Sequence, residues 1–120
     1  MTQTRDESKV SMWEILVPTI RNDGRPIRTR YHRVWDQKVR EITGGLTILP
    51  VNKGQWVSPG GELFIERMIP VRIACTRAQI EAIIQMTIGY YEQHAVLAYL
   101  ISEEVIIQHA TEDQKKQWSY

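Results

Sequence analysis

Chemistry asks for polar groups in places that packing alone would leave apolar, and Glu66 is the first such residue in this chain. It sits inside "ELFIERMIPV", a run otherwise rich in apolar side chains. Trp56 precedes it in "NKGQWVSPGG", a glycine-bordered loop, with Gln55 beside it. If Phe64, Glu66 and Met68 share one strand face, the carboxylate lies among apolar neighbours. Burying it without a partner is costly. Two arrangements resolve that cost. One is an ion pair with Arg67 or Arg72, or exposure at a sheet edge. The other is a cationic ligand held by Glu66, with Trp56 as an aromatic wall, because aromatic faces attract ammonium and sulfonium centres. Glu92 and Gln93 near a helix end, and Glu103 and Glu104 in a turn, would add polar groups if they lie close by. Otherwise they are ordinary solvated residues.

Other chemistries find little support. His32, His94 and His109 are isolated from any His/Cys/Asp/Glu set at metal-ligand spacing, so no metal and no cofactor is expected. His94 fits a helix C-terminus, where a protonated imidazole meets the dipole. Cys75 has no neighbouring base in sequence and reads as a small hydrophobe at a strand end. A single cysteine forms no internal disulfide, which agrees with a reducing, cytoplasmic setting. There is no nucleophile elbow, P-loop or dinucleotide fingerprint. Arg21, Arg25, Arg28, Arg30 and Arg33, interleaved with Tyr31 and His32, form a basic stretch. Its functional reading is phosphate or RNA contact, and its bland reading is a solvated loop and first helical turn. No aromatic RNA-binding strand accompanies it, so nucleic acid is not the expected partner. The net charge of +1 argues the same way.

These residues need a frame. At 120 residues the chain fits one domain, read as residues 11–110, with a polar arm at 1–10 and a tail at 111–120. No apolar run is long enough to span a bilayer. "MWEILVPTI" reads as a first strand, near residues 12–20, and ends in the turn cluster "RNDGRP". A helix over 30–43 follows, with Tyr31, Val34, Trp35, Val39 and Ile42 on one face and Gly44 as its cap. "LTILPV" is a second strand. "ELFIERMIPVRIAC" is a long third one, with a bulge or edge position expected at Pro70. Trp56 and Val57 pair back on Leu63 and Phe64 as a small hairpin. Thr76 and Gln79 match a capping box for a second helix running to about Gln93. Its buried stripe is Ile80, Ile83, Ile84, Ile88 and Tyr91. "AVLAYLI" (95–101) gives a fourth strand and "VIIQHA" (105–110) a fifth.

Strand, helix, strand, strand, helix, strand is the ferredoxin-like split βαβ order, an α+β fold with an antiparallel sheet and both helices on one face. The strands carry more apolar positions than one face requires. Oligomerisation through the open sheet face is the simplest cover.

The chain also resembles the short phage-encoded S-adenosylmethionine (SAM) lyases, long called SAM hydrolases. The likeness runs through "WEILVPTIRND", "RYHRVW" and above all the block from Glu66 to Ser102. In that block Glu66 precedes the strand "VRI", "RAQI" opens the helix, and "YEQ" (Tyr91 to Gln93) precedes "VLAY". The resemblance implies a trimer with active sites between subunits. It implies cleavage of SAM to methylthioadenosine and homoserine lactone. It places the family's key acid on Glu66 and its loop tyrosine on or beside Trp56, where indole cannot act as a phenol does. A second acid falls near Glu103 or Glu104, and the likeness ends beyond residue 105. The competing reading is a non-catalytic oligomeric module that binds a ligand or a protein. The fold does not choose between them.

Overall fold

The computed structural model describes residues 8–117. Most of the expected N-terminal arm, and Trp118 and Tyr120 of the tail, lie outside the described residues. In chain order the elements are β1 (Ser11–Pro18), α1 (Thr29–Thr43), β2 (Thr47–Ile48), β3 (Asn52–Val57), β4 (Leu63–Cys75), α2 (Arg77–Tyr90), β5 (Ala98–Ser102) and α3 (Glu112–Gln117). The sheet order is β2-β4-β1-β5, with β3 also pairing to β4. Every pairing is antiparallel. This is the ferredoxin-like arrangement: β1 and β2 are split by β4, and a helix follows both β1 and β4.

Alternation along the strands decides which face is covered. Ile15 opposes Val71 and Ala98, and Trp13 opposes Ile73 and Leu100. Of these, all but the part-exposed Leu100, with Val17 and Cys75, join Trp35 and Val39 of α1 and Ile80 and Ile83 of α2 in one core. Both helices therefore pack on the same sheet face. The intervening positions, among them Met12, Glu14, Leu16, Pro70 and Arg72, point to the face without helices. Burial raises the Cys75 thiol to about 11, as its packing role requires.

The helices are tied by specific polar contacts. The Thr76 hydroxyl accepts from the Gln79 N–H at 3.2 Å, and the Gln79 side chain accepts from the Thr76 N–H at 2.9 Å. The expected capping box is thus complete. Gly44 closes α1 at φ 90° and donates its N–H to Arg40 O at 2.8 Å. The Trp35 indole donates to the Thr87 hydroxyl at 3.0 Å, which in turn donates to Ile83 O at 2.6 Å. That relay lets a buried tryptophan cross from α1 to α2 with its polar atom satisfied.

Several expectations are corrected. Pro70 causes no bulge, since the β1–β4 register runs unbroken from Met68 to Cys75. Its carbonyl accepts from Leu49 N–H, so its nitrogen also faces that side of β4. There β2 and β3 part, and no ladder donor is lost. β2 shrinks to Thr47–Ile48, while the hairpin grows to six residue pairs, Asn52↔Met68 to Val57↔Leu63. Val34 and Ile42 are 45% and 37% exposed, so the α1 stripe narrows to Trp35 and Val39 with the half-buried Tyr31. α2 ends at Tyr90, and His94 does not cap it. β5 begins only at Ala98, and "VIIQHA" forms no strand. Ile106 and Ile107 in it are 80% and 65% exposed.

An aromatic cluster joins the two helices at the far end of the sheet. Tyr31 stacks on Tyr90 at 4.2 Å, and each phenol donates to the other's backbone carbonyl. His32 Nδ1 lies 2.7 Å from the Tyr91 hydroxyl. Burial lowers the His32 pKa below its ordinary 6.5, against a raising effect of Asp36, and burial raises that of Tyr91. Both shifts favour a neutral imidazole and a neutral phenol, which share this hydrogen bond. The unfolded chain then binds more protons than the folded one between the lowered value and 6.5. Stability is full above pH 6.5 and falls as pH drops through the folded value. Denaturant titrations at stepped pH should show this loss, and His32→Gln should flatten it.

Candidate functional site

β4 is longer than its partner β1, and this excess builds the candidate site. β1 pairs with β4 only from Met68 onward, and beyond the Thr19 hydroxyl that donates to Arg67 O at 2.7 Å, residues 63–66 run past the sheet with β3 as their strand partner. The result is a two-stranded arm. On one arm face Trp56 opposes Phe64, and their rings stack at 4.6 Å and 15°. Gly54 opposes Glu66 on that same face. The absence of a side chain at Gly54 leaves the carboxylate open on its cross-strand side. Gln55 opposes Ile65 and points to the other arm face.

Glu66 and Trp56 therefore share a face, but Glu66 is exposed and Trp56 is 49% exposed. Glu66 has no ion-pair partner among the described residues. Neither pairing expected for it forms: Arg67 points to the opposite strand face, and Arg72 lies six residues along β4, about 20 Å away, where it engages Glu14 at 3.0 Å. Within one chain the two residues lie on an open surface. Two cavities of about 320 Å³ lie elsewhere, and neither is lined by Glu66 or Trp56.

The remaining candidates separate. Glu92 and Gln93 follow α2 at the Pro18 end of the sheet. Glu92 takes φ 53°, its carbonyl accepts from Asn22 Nδ2 at 2.6 Å, and Gln93 N–H bonds Ile88 O. Glu103 and Glu104 lie at the opposite end. The Ser11 hydroxyl donates to Glu103 O, and the Glu103 carboxylate sits 4.0 Å from Lys9. Glu104 N–H and O both bond the Ser102 hydroxyl. From Ser11 along β1 to Pro18, and on along β4 to Glu66, the strand rise amounts to about 30 Å. Glu66 and the Glu103–Glu104 pair of one chain cannot line one small-molecule cavity.

Sequence reasoning missed a buried acid. Glu14, in "MWEILVP", is 6% exposed and stands on the face without helices. It opposes Arg72 on β4 and Tyr99 on β5, accepting from the Arg72 guanidinium and from the Tyr99 hydroxyl. One carboxylate thus links the adjacent strands β4, β1 and β5. An acid alternating with apolar neighbours inside a strand was the available signal.

No protein-family model matches the chain, and no curated protein matches it by sequence. Solved structures do. A phage SAM lyase bound to S-methyl-5'-thioadenosine superposes with a TM-score of 0.62 at 12% identity, over 86% of this chain and 88% of that one. CutA from Xylella fastidiosa gives 0.57 at 14% identity, over 91% and 93%. The divalent cation tolerance protein CutA of Thermus thermophilus gives 0.55 at 11%, over 89% and 92%. At such identities the likeness defines the fold, a ferredoxin-like α+β subunit shared by a lyase and by cation tolerance proteins. Among the described residues no helix is long and apolar enough to cross a membrane.

The Glu14 linkage has a measurable consequence. Glu14→Ala should destabilise the fold by about 1.5–3 kcal/mol, the range for hydrogen bonds to a charged group. Tyr99→Phe, which leaves Arg72 in place, should cost about 1 kcal/mol. Urea denaturation of the variants checks both the values and their order.

Proposed function

We propose that this protein is a SAM lyase whose active sites form between copies of the chain, most simply in a trimer. The observation that carries the reading is the arm: a stacked aromatic pair and an unpaired carboxylate share one face that is open in the single chain. A sulfonium substrate with an ammonium group suits that face, since indole attracts the first kind of cation and a carboxylate the second. The fold likeness to a phage SAM lyase supports the same reading. So does the shape of the chain. Its radius of gyration is 17.6 Å and its thickness 22 Å, against a radius of about 13–14 Å for a compact domain of this length. Val57, Leu63 and Ile65 of the arm are all more than half exposed, which suits burial against a neighbouring copy.

The proposed reaction needs little from the protein. The methionyl carboxylate of the substrate attacks its own γ-carbon. The C–O bond forms as the C–S bond breaks, and the electron pair passes to sulfur. The products are neutral methylthioadenosine and homoserine lactone, with no proton transferred and no external nucleophile. Glu66 holds the ammonium and so orients the chain for closure. The Trp56–Phe64 pair packs against the sulfonium or adenine and excludes water. Rate comes from orientation and a dry site. Trp56 supplies packing but no phenol hydroxyl. Glu92 and Gln93 are proposed contacts from the segment after α2, and Gln55, on the other arm face, is not assigned a contact at this site. Glu103 or Glu104 of a neighbouring copy supplies the second acid. The same arm on a CutA-like subunit also suits a non-catalytic binding module, and turnover separates the two readings.

Incubation with SAM and chromatographic detection of methylthioadenosine is the test. Wild type should release it, and Glu66→Gln should abolish release while the circular dichroism spectrum stays unchanged. Trp56→Ala should weaken SAM binding by about 1–2 kcal/mol in calorimetry. Binding without release would establish the binding module instead. A wild type with neither heat nor product overturns the SAM reading.

A further inference from the structure

The connection between β1 and α1 holds a second cavity, of about 320 Å³, whose lining is strongly basic. Arg21, Arg25, Arg28 and Arg30 surround it with Tyr31, and its one acid is Asp23. Asp23 is committed to Arg25, at 3.6 Å from its guanidinium and 3.0 Å from its N–H. Among the described residues Arg21, Arg28 and Arg30 form no ion pair. Three arginines without an acidic partner therefore line one small volume.

The cavity also opens on the N-terminus of α1, a helix of 15 residues. Arg28 occupies the cap position with no side-chain cap bond, and the first turn carries no acid. Sequences usually place Ser, Thr, Asp or Asn there to accept the free N–H groups. Here an arginine stands instead, so the helix end and the side chains present the same sign of charge.

The walls are fixed before any ligand arrives. Arg21 N–H bonds Arg25 O at 2.8 Å, and Gly24 N–H bonds Arg21 O at 2.9 Å with Gly24 at φ 85°. Ile27 is buried and its N–H reaches Thr19 O. The Arg21 guanidinium lies 4.7 Å from the centre of the Tyr31 ring, which is itself stacked on Tyr90. The backbone of the connection and the Arg21 side chain are thus held in place, and ligand binding would order the exposed Arg28 and Arg30 side chains.

We infer that this cavity binds a small anion carrying two or more phosphate groups. A single phosphate brings about two negative charges at most, fewer than three free guanidiniums and a helix end accommodate. Planar guanidiniums bind phosphate oxygens in pairs, and helix N-termini take phosphate for the same electrostatic reason. The volume lies at the small end of ligand sites, which suits a diphosphate or a compact nucleotide. None of the residues lining this cavity belongs to the set proposed to hold SAM, although Asn22 of the same connection bonds Glu92 O.

The test is calorimetry of the full chain at low ionic strength with pyrophosphate, ADP and orthophosphate, and with a short single-stranded RNA. Pyrophosphate or ADP should bind, and orthophosphate should bind at least about tenfold more weakly. Tighter binding of ADP would point to a nucleotide, and equal binding to the diphosphate group alone. The Arg28→Ala/Arg30→Ala variant removes side chains that make no ion pair, so it should fold normally and lose at least about tenfold in affinity. Arg33→Ala and Arg40→Ala, on α1 outside the cavity, should leave affinity unchanged. Absence of heat with both diphosphates overturns the inference. So does equal loss in all these variants, or RNA binding in preference to either diphosphate.

Discussion

A sheet with both helices on one face must leave its other face, and any strand that outruns its neighbours, to be covered by something else. Nearly every feature of this chain follows from that constraint. The covered face holds a complete core around Ile15, Ile73, Trp35 and Ile83. On the other face Glu14 is tolerated because Arg72 and Tyr99 close over it. β4 outruns β1 and, paired with β3, carries Trp56, Phe64 and Glu66 out on a two-stranded arm. An isolated two-stranded ribbon is marginal in water. The arm gains stability and purpose together if another copy packs on it.

The same constraint explains the scatter of the candidate residues. Antiparallel strands place their two ends far apart, and the acids divide between those ends. Glu66, Glu92 and Gln93 belong to the Pro18 end, and Glu103 and Glu104 to the Ser11 end. Read as one chain, the set has no common cavity. Placed around a symmetry axis, the arm of one copy can meet the Ser11 end of the next, and isologous or cyclic contacts repeat that meeting at every interface.

Where local chemistry decided the structure, the sequence was legible. The Thr76–Gln79 capping box, the Gly44 cap and the shared face of Glu66 with Phe64 and Met68 follow from patterns spanning a few residues. So did the order of elements, and with it the ferredoxin-like fold. Where the outcome depended on which edge lay within reach, it was not. "VIIQHA" has the composition of a strand, yet no partner edge in the chain receives it. Ala95 to Leu97 look equally strand-like, but only Leu97 O reaches β1, accepting from Leu16 N–H at 3.0 Å. Pro70 looked disruptive because the gap between β2 and β3 cannot be read from spacing. Glu14 escaped notice because its two partners, Arg72 and Tyr99, are distant in sequence. Glu66 is left without an ion pair because Arg72, on the same face, lies about 20 Å along the strand.

Complementation tests the central claim, a site shared between copies, most directly. Chains carrying Glu66→Gln and chains carrying Glu103→Gln with Glu104→Gln are assembled separately and then as an equal mixture. Each parent should be inactive toward SAM. In a cyclic assembly of randomly mixed chains, about a quarter of the interfaces join an intact Glu66 to an intact Glu103–Glu104 pair. The mixture should therefore recover about a quarter of wild-type turnover. A site contained within one chain would leave the mixture as inactive as its parents, and that result would contradict the account.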